Sequence, residues 1–135
     1  LNKVVCAFPG LGKTFLSRVN PHFLDLDFVQ YKSMSREDAL VRYAQDILFH
    51  PLRTVLINDP FVISYLKNRD VIVVLPTSKM DLLNRIKKRG DEEFAVHLEM
   101  NYDRWIREWM DCALSNKCKI IKTPGYLRDV TYMWR

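Results

Sequence analysis

Lys13 and Thr14 follow a loop with glycines at positions 10 and 12, and the apolar run Val4-Val5-Cys6-Ala7-Phe8 stands directly in front of it. Residues of these types at this spacing can hold a phosphate. A strand would deliver the chain to a loop whose backbone N–H groups point inward, and a helix starting at the lysine would turn its positive end toward the anion. Gly10 and Gly12 permit positive φ and close approach of backbone to oxygen. Lys13 can reach the β- and γ-phosphates of a nucleotide, and the Thr14 hydroxyl can hold Mg²⁺. The stretch Ala7-Phe8-Pro9-Gly10-Leu11-Gly12-Lys13-Thr14 reads as a phosphate-binding loop with Ala7 where the strict pattern has glycine. Pro9, Gly10, Leu11, Gly12, Lys13, Thr14 and Phe15 are its expected nucleotide-contacting residues.

Three acidic positions could work beside such a loop. In Leu24-Asp25-Leu26-Asp27 the period of two puts both carboxylates on one side of a strand, at the carboxyl end where open parallel sheets form their ligand crevice. One acid could sit near Mg²⁺ or take a proton from an attacking oxygen while the other grips an acceptor hydroxyl. Asp59 closes the apolar run Leu56-Ile57-Asn58, which suits a carboxylate ordering the water shell of Mg²⁺ and equally suits a turn begun by Asp59-Pro60. Arg85 and Arg89 stand four apart on one helix face just before Gly90, so they could close over a transferring phosphoryl group. The other reading is a solvated basic face at a helix C-terminus.

Elements that position these groups follow from the pattern. Strands are expected at 3–8, 22–26, 54–58, 71–75 and 119–122, alternating with helices in the rhythm of an α/β parallel sheet. Helices are expected from Lys13 to the stop at Asn20-Pro21, and from the cap Ser35 to about Phe49. Three more should cover 61–67, about 78–89 up to Gly90, and 92–115, with a short one after Pro124-Gly125. On the longest, Phe94, Leu98, Tyr102, Trp105, Ile106, Trp109 and Leu114 recur at helical spacing, which predicts core packing for both tryptophans rather than base stacking.

With 135 residues, 48% of them hydrophobic, the chain suits one domain over 1–135. Apolar runs fall short of the ~20 residues of a membrane span, and no basic-then-apolar signal layout opens the chain. A soluble, cytoplasmic protein with no membrane partner is expected, with room for a short leader before Leu1. Cys6, Cys112 and Cys118 are expected reduced, two in strands and one on a helix. His22, His50 and His97 form no metal-binding spacing. The net charge of +5 suits a phosphate-bearing partner, either a nucleotide or a nucleic acid.

Residues 71–94, centred on Arg85-Ile86-Lys87-Lys88-Arg89-Gly90, and the later Asn101-Tyr102-Asp103-Arg104-Trp105-Ile106 carry a resemblance. With the glycine loop and Asp25-Leu26-Asp27 in front, nearly the whole chain resembles small P-loop kinase-like proteins of bacteriophage genomes, which are related in fold to nucleoside monophosphate kinases and to shikimate and gluconate kinases. The resemblance implies a three-layer P-loop fold with a five-stranded sheet in the order 2-3-1-4-5, ATP as donor, Mg²⁺ as cofactor and a short arginine lid over about residues 79–100. It implies donor-phosphate contacts for Gly10, Gly12, Lys13 and Thr14, catalytic roles for Lys13, Asp25, Asp27, Arg85 and Arg89, and an adenine flanked by Thr123-Pro124-Gly125-Tyr126; the candidate metal residues remain Thr14 and Asp59 from the loop and strand-end patterns. A viral origin would place the protein in the host cytoplasm. Phe28 to Arg53 leaves space for one helix only, so the acceptor should be small and held by Asp27, Tyr31, Arg36 or Arg42.

The activity so implied is transfer of the γ-phosphoryl group of ATP to a (deoxy)nucleoside monophosphate. Alternatives are a nucleoside or small-metabolite kinase, a polynucleotide 5′-kinase, and a non-catalytic nucleotide-binding interaction protein. A required carboxylate base separates the first two, because a monophosphate oxygen is already nucleophilic. A steep salt dependence of oligonucleotide binding would mark the third.

Overall fold

The computed structural model describes residues 3–67 and 69–134. Its centre is β1 (Val4–Ala7), whose four residues are all buried. Strands covered on both faces read as continuous apolar runs rather than as alternations, and β3 (Thr54–Ile57) and β4 (Val71–Pro76) share that pattern. β1 pairs with β3 on one side and β4 on the other, in register at Val4↔Val55 and Val4↔Val71. The edges are β2 (Phe23–Asp25), beside β3, and β5 (Lys119–Thr123), beside β4. All pairs are parallel and the order is 2-3-1-4-5, the order the resemblance implies.

Helix ends follow the capping chemistry of the sequence. α1 (Lys13–Val19) starts at Gly12, which has φ 85°, and stops at Asn20 in extended conformation. The Ser35 side chain accepts from the Asp38 amide to open α2 (Arg36–Leu48), and Ser78 accepts from Asp81 to open α3 (Lys79–Lys88). Gly90, at φ 84°, turns the chain into α4 (Glu92–Ser115), capped by Asp91. The step from β1 to β2 runs across the sheet in the opposite sense to the later crossovers, and with right-handed crossovers this sets α1 on one face of the sheet and α2 and α4 on the other.

Trp109 is buried and Trp105 half-buried, and with Tyr102 they ring Phe8 edge-on at centroid distances of 5.3, 6.4 and 5.6 Å. The aromatic stripe of α4 thus grips the chain immediately before the glycine loop. Among the described residues no helix is long and apolar enough to cross a membrane.

Several expectations need correction. The segments after β3 and after β5 are 3₁₀ turns, Pro60–Tyr65 and Leu127–Trp134, not α-helices; the first is too short between Asp59 and Val71 and begins on a proline. A further 3₁₀ turn, Phe28–Tyr31, was not foreseen; Asp27 starts it by accepting from the Val29 amide. Cys118 precedes β5 instead of lying in it. The segment expected as a lid forms two core-packed helices: Leu82, Leu83 and Ile86 of α3 and Ala95 and Leu98 of α4 are all at most 2% exposed.

Gly10 and Gly90 share a left-handed φ but differ in surroundings. A Cβ on Gly10 would stand 2.9 Å from Ile86 Cδ1 and 3.1 Å from Leu82 Cδ1, both buried, whereas one on Gly90 meets nothing within 4 Å. Gly90→Ala should therefore cost about 1 kcal/mol, the backbone strain alone, and Gly10→Ala about 2–4 kcal/mol. Urea midpoints at constant m-value measure both; equal losses would deny the crowding at Gly10.

Candidate functional site

The loop between β1 and α1 is held at both ends. The Phe8 amide donates to Val74 O (3.0 Å) on the strand side, and Leu11 O accepts from the Leu127 amide (2.7 Å) on the C-terminal side. Between these anchors, no described residue accepts a hydrogen bond from the backbone N–H groups of Gly10 to Phe15, and α1 has no side-chain cap. A row of unsatisfied amides at a helix N-terminus is a standing invitation to an anion. They border a cavity of about 720 Å³ whose walls include Lys13, Thr14, Asp27, Asn58, Arg89 and Trp105.

Asp25, the last residue of β2, receives Lys13 Nζ on one oxygen and the Thr14 hydroxyl, at 3.2 Å, on the other. Asp27 lies beyond the strand. Its Oδ1 accepts from the Val29 amide and from Asn58 Nδ2, each at 2.9 Å, so the two acids are fixed by different partners. Asp25 is tied to the loop's own cation and hydroxyl, and Asp27 lines the cavity with no ion pair to a cation among the described residues.

Arg85 and Arg89 also part company. Arg85 donates to Pro124 O (2.7 Å) and Gly125 O (2.9 Å), and its guanidinium lies 5.1 Å from the Tyr126 ring. It therefore braces the loop before the last turn instead of meeting the phosphate cavity, which corrects the expected pair of lid arginines. Arg89 does line that cavity. It also borders a smaller recess of about 270 Å³ formed with Gly12, Phe15, Tyr126 and Arg128. There the Arg128 guanidinium lies 5.1 Å from the Phe15 ring and 5.6 Å from that of Tyr126, a surface suited to a flat aromatic group.

Asp59 is committed elsewhere. Its Oδ1 caps the Phe61 amide (2.9 Å), its Oδ2 pairs with Arg36 (3.1 Å), and it lines a neighbouring cavity rather than the phosphate cavity. Both residues lie past the end of β3; Asn58 borders both cavities and Asp59 only the neighbouring one, so the amide and not the carboxylate stands against the loop. Of the acceptor positions, Asp27 lines the phosphate cavity and Arg36 the neighbouring one, while Tyr31 and Arg42 both engage Asp46.

Sequence reasoning missed Asn58, His97 and Arg128. Only Asn58 carried a signal, as a polar residue ending an apolar strand. Nucleophilic cysteine chemistry has no support: burial raises the thiol pKa of Cys6 strongly and those of Cys112 and Cys118 less, so all three stay protonated at neutral pH. Among the described residues no group of three His, Cys, Asp or Glu side chains is placed to hold a metal on its own.

No protein-family model matches the chain, and no curated protein matches it. Among solved structures, the crystal structure of an uncharacterized protein from Eubacterium ventriosum ATCC 27560 is similar, with 12% identity, a TM-score of 0.51, and coverage of 98% of this chain and 96% of that one. The likeness extends over both chains and concerns the fold alone.

Arg85→Ala should speed amide hydrogen exchange of residues 125–129 by about tenfold, because two charge-assisted hydrogen bonds to the loop are lost. Arg89→Ala should leave those amides unchanged. Equal protection in both variants would remove the bracing role of Arg85.

Proposed function

We propose that the chain is an ATP-dependent phosphotransferase of the P-loop kinase type, acting on a small nucleoside-type acceptor. The observation that carries this reading is the set of unpartnered amides from Gly10 to Phe15, facing a cavity that Lys13, Asp27 and Arg89 also enter. The amides, the α1 N-terminus and Lys13 would hold the donor phosphates. The recess between Phe15, Tyr126 and Arg128 would take the adenine, which lies close to the place expected for it from residues 123–126.

The residues fit Mg²⁺ as well. Thr14 Oγ1 and Asp25 Oδ2, 3.2 Å apart, are hard oxygen ligands at the foot of the loop, whereas both oxygens of Asp59 are already used. When bound there, the ion would neutralise charge on the phosphates. Arg89, on the wall of the same cavity, would balance charge on the transferring group together with Lys13. Asp27, held by the Val29 amide and Asn58, is the carboxylate free to receive a proton from a hydroxyl acceptor, while Asp25 keeps Lys13 in place until the donor arrives.

A small acceptor is favoured over a polynucleotide end. The neighbouring cavity is lined by as many carboxylates as guanidiniums, so it offers no basic track for a phosphodiester chain. A purely non-catalytic nucleotide site would leave Arg89 and Asp27 without a purpose on the cavity wall.

The test is ATP-dependent phosphorylation of a panel of nucleosides, nucleoside monophosphates and small alcohols. Lys13→Ala should lower kcat/KM by about 100-fold or more, and Arg89→Ala by about 10–1,000-fold, chiefly in kcat. Arg85→Ala should act mainly on the KM for ATP through the loop it braces. An ATPase indifferent to every acceptor, or full activity in Lys13→Ala, would overturn the proposal.

A further inference from the structure

Beside the phosphate cavity lies a second one of about 440 Å³, within the range of small-ligand sites. Pro9, Asn58 and Trp105 line both, so a molecule seated in the second reaches the first. Its walls are aromatic: the half-buried indole of Trp105, the Phe61 ring, 39% exposed, and the Arg36 guanidinium 5.3 Å from the Phe61 centroid and 5.1 Å from that of Phe28. Flat surfaces with polar rims accept flat heteroaromatic rings.

The charges are matched within the cavity. Arg36 pairs with Asp59 at 3.1 Å and Arg104 with Glu108 at 3.5 Å. A dianionic phosphate entering here would have to strip a carboxylate from its arginine or lie beside it, and like charges at that range oppose binding. The cation in reach with no described carboxylate partner is Arg89, which belongs to the phosphate cavity.

We infer that this second cavity is the acceptor site and that it selects an uncharged heteroaromatic alcohol, a nucleoside, over a nucleoside monophosphate; the inference rests on the phosphotransferase reading above. The ring lies between Trp105 and Phe61, and the hydroxyl points past Asn58 toward Asp27. In the transfer, the hydroxyl oxygen bonds to the γ-phosphorus and its proton passes to the Asp27 carboxylate. The bond between that phosphorus and the β–γ bridging oxygen breaks, its electron pair stays on that oxygen, and ADP departs. The pocket thereby reverses the acceptor order expected from the sequence.

The experiment titrates the full chain with the common nucleosides and their 5′-monophosphates, following tryptophan fluorescence, with Mg²⁺ and a non-hydrolysable ATP analogue present. At least one nucleoside should bind about tenfold or more tightly than its own monophosphate. Glu108→Gln, which frees Arg104, should narrow that gap severalfold in favour of the monophosphate. Phe61→Ala should weaken nucleoside binding about tenfold with the affinity for the ATP analogue unchanged, and a thermal melt checks that the variant is folded. Tighter binding of monophosphates, no nucleoside binding while the analogue binds, or an unaltered gap in Glu108→Gln would each overturn the inference. Nucleoside binding without analogue binding would leave the pocket standing and overturn the phosphotransferase reading instead.

Discussion

Everything in the site depends on the backbone passing through left-handed conformations at Gly10 and Gly12 while squeezed from two sides. Gly10, at φ 92°, lies under the methyls of Ile86 and Leu82, and a Cβ on Gly12, at φ 85°, would come within 3.4 Å of Tyr126. The loop is therefore shaped by α3 on one flank and by the C-terminal segment on the other. Its flanks at the two glycines are the apolar side chains of Ile86 and Leu82 and the Tyr126 ring, none of which accepts from the loop amides, and the loop residues line the cavity. A pre-aimed row of donors needs no reorganisation when an anion arrives, which is the main advantage a protein holds over water in binding phosphate.

Charge placement follows the same economy of motion. Lys13 and Asp25 are 13% and 19% exposed, so the lysine is held in position by an acid whose other oxygen already touches Thr14. Arg85 and Arg89, alike in sequence and one helical turn apart, divide the work. Arg85 fixes the position of Tyr126 through backbone carbonyls, and Arg89 keeps its charge for the cavity. Spacing along a helix told only that they share a face; the partner that each meets depends on how far the Pro124–Gly125 carbonyls project beneath α3.

The parallel sheet, its buried strands and all four helix starts were legible because each rests on local signals: apolar runs of strand length, Lys13 behind the glycine loop, Ser35 as a cap, Gly90 as a break between the third and fourth helices. The glycine loop was legible for the same reason. The 3₁₀ turns were not, since Phe28–Tyr31 and Pro60–Tyr65 owe their form to Asp27 and Asp59 accepting from amides two residues on, an alternative that local periodicity does not register. The second cavity was invisible for a different reason. Arg36, Phe61 and Arg104 come from three separate elements, and only the sheet order brings them together.

Asn58 ties the two cavities to one another, and its amide suits this place better than the carboxylate one residue later. Its Nδ2 donates to Asp27 while its Oδ1 accepts from the Phe28 amide, and its own N–H donates to the Tyr43 hydroxyl, which in turn donates to Leu26 O. Burial raises the Tyr43 pKa strongly, so that hydroxyl keeps its proton and the chain of bonds keeps its direction at any physiological pH. An aspartate at position 58 would set a second negative charge against Asp27 and remove the donor that orients it. With asparagine there, Asp27 is held through Oδ1 by two neutral donors, and no described residue donates to its Oδ2 at the seam between donor phosphates and acceptor.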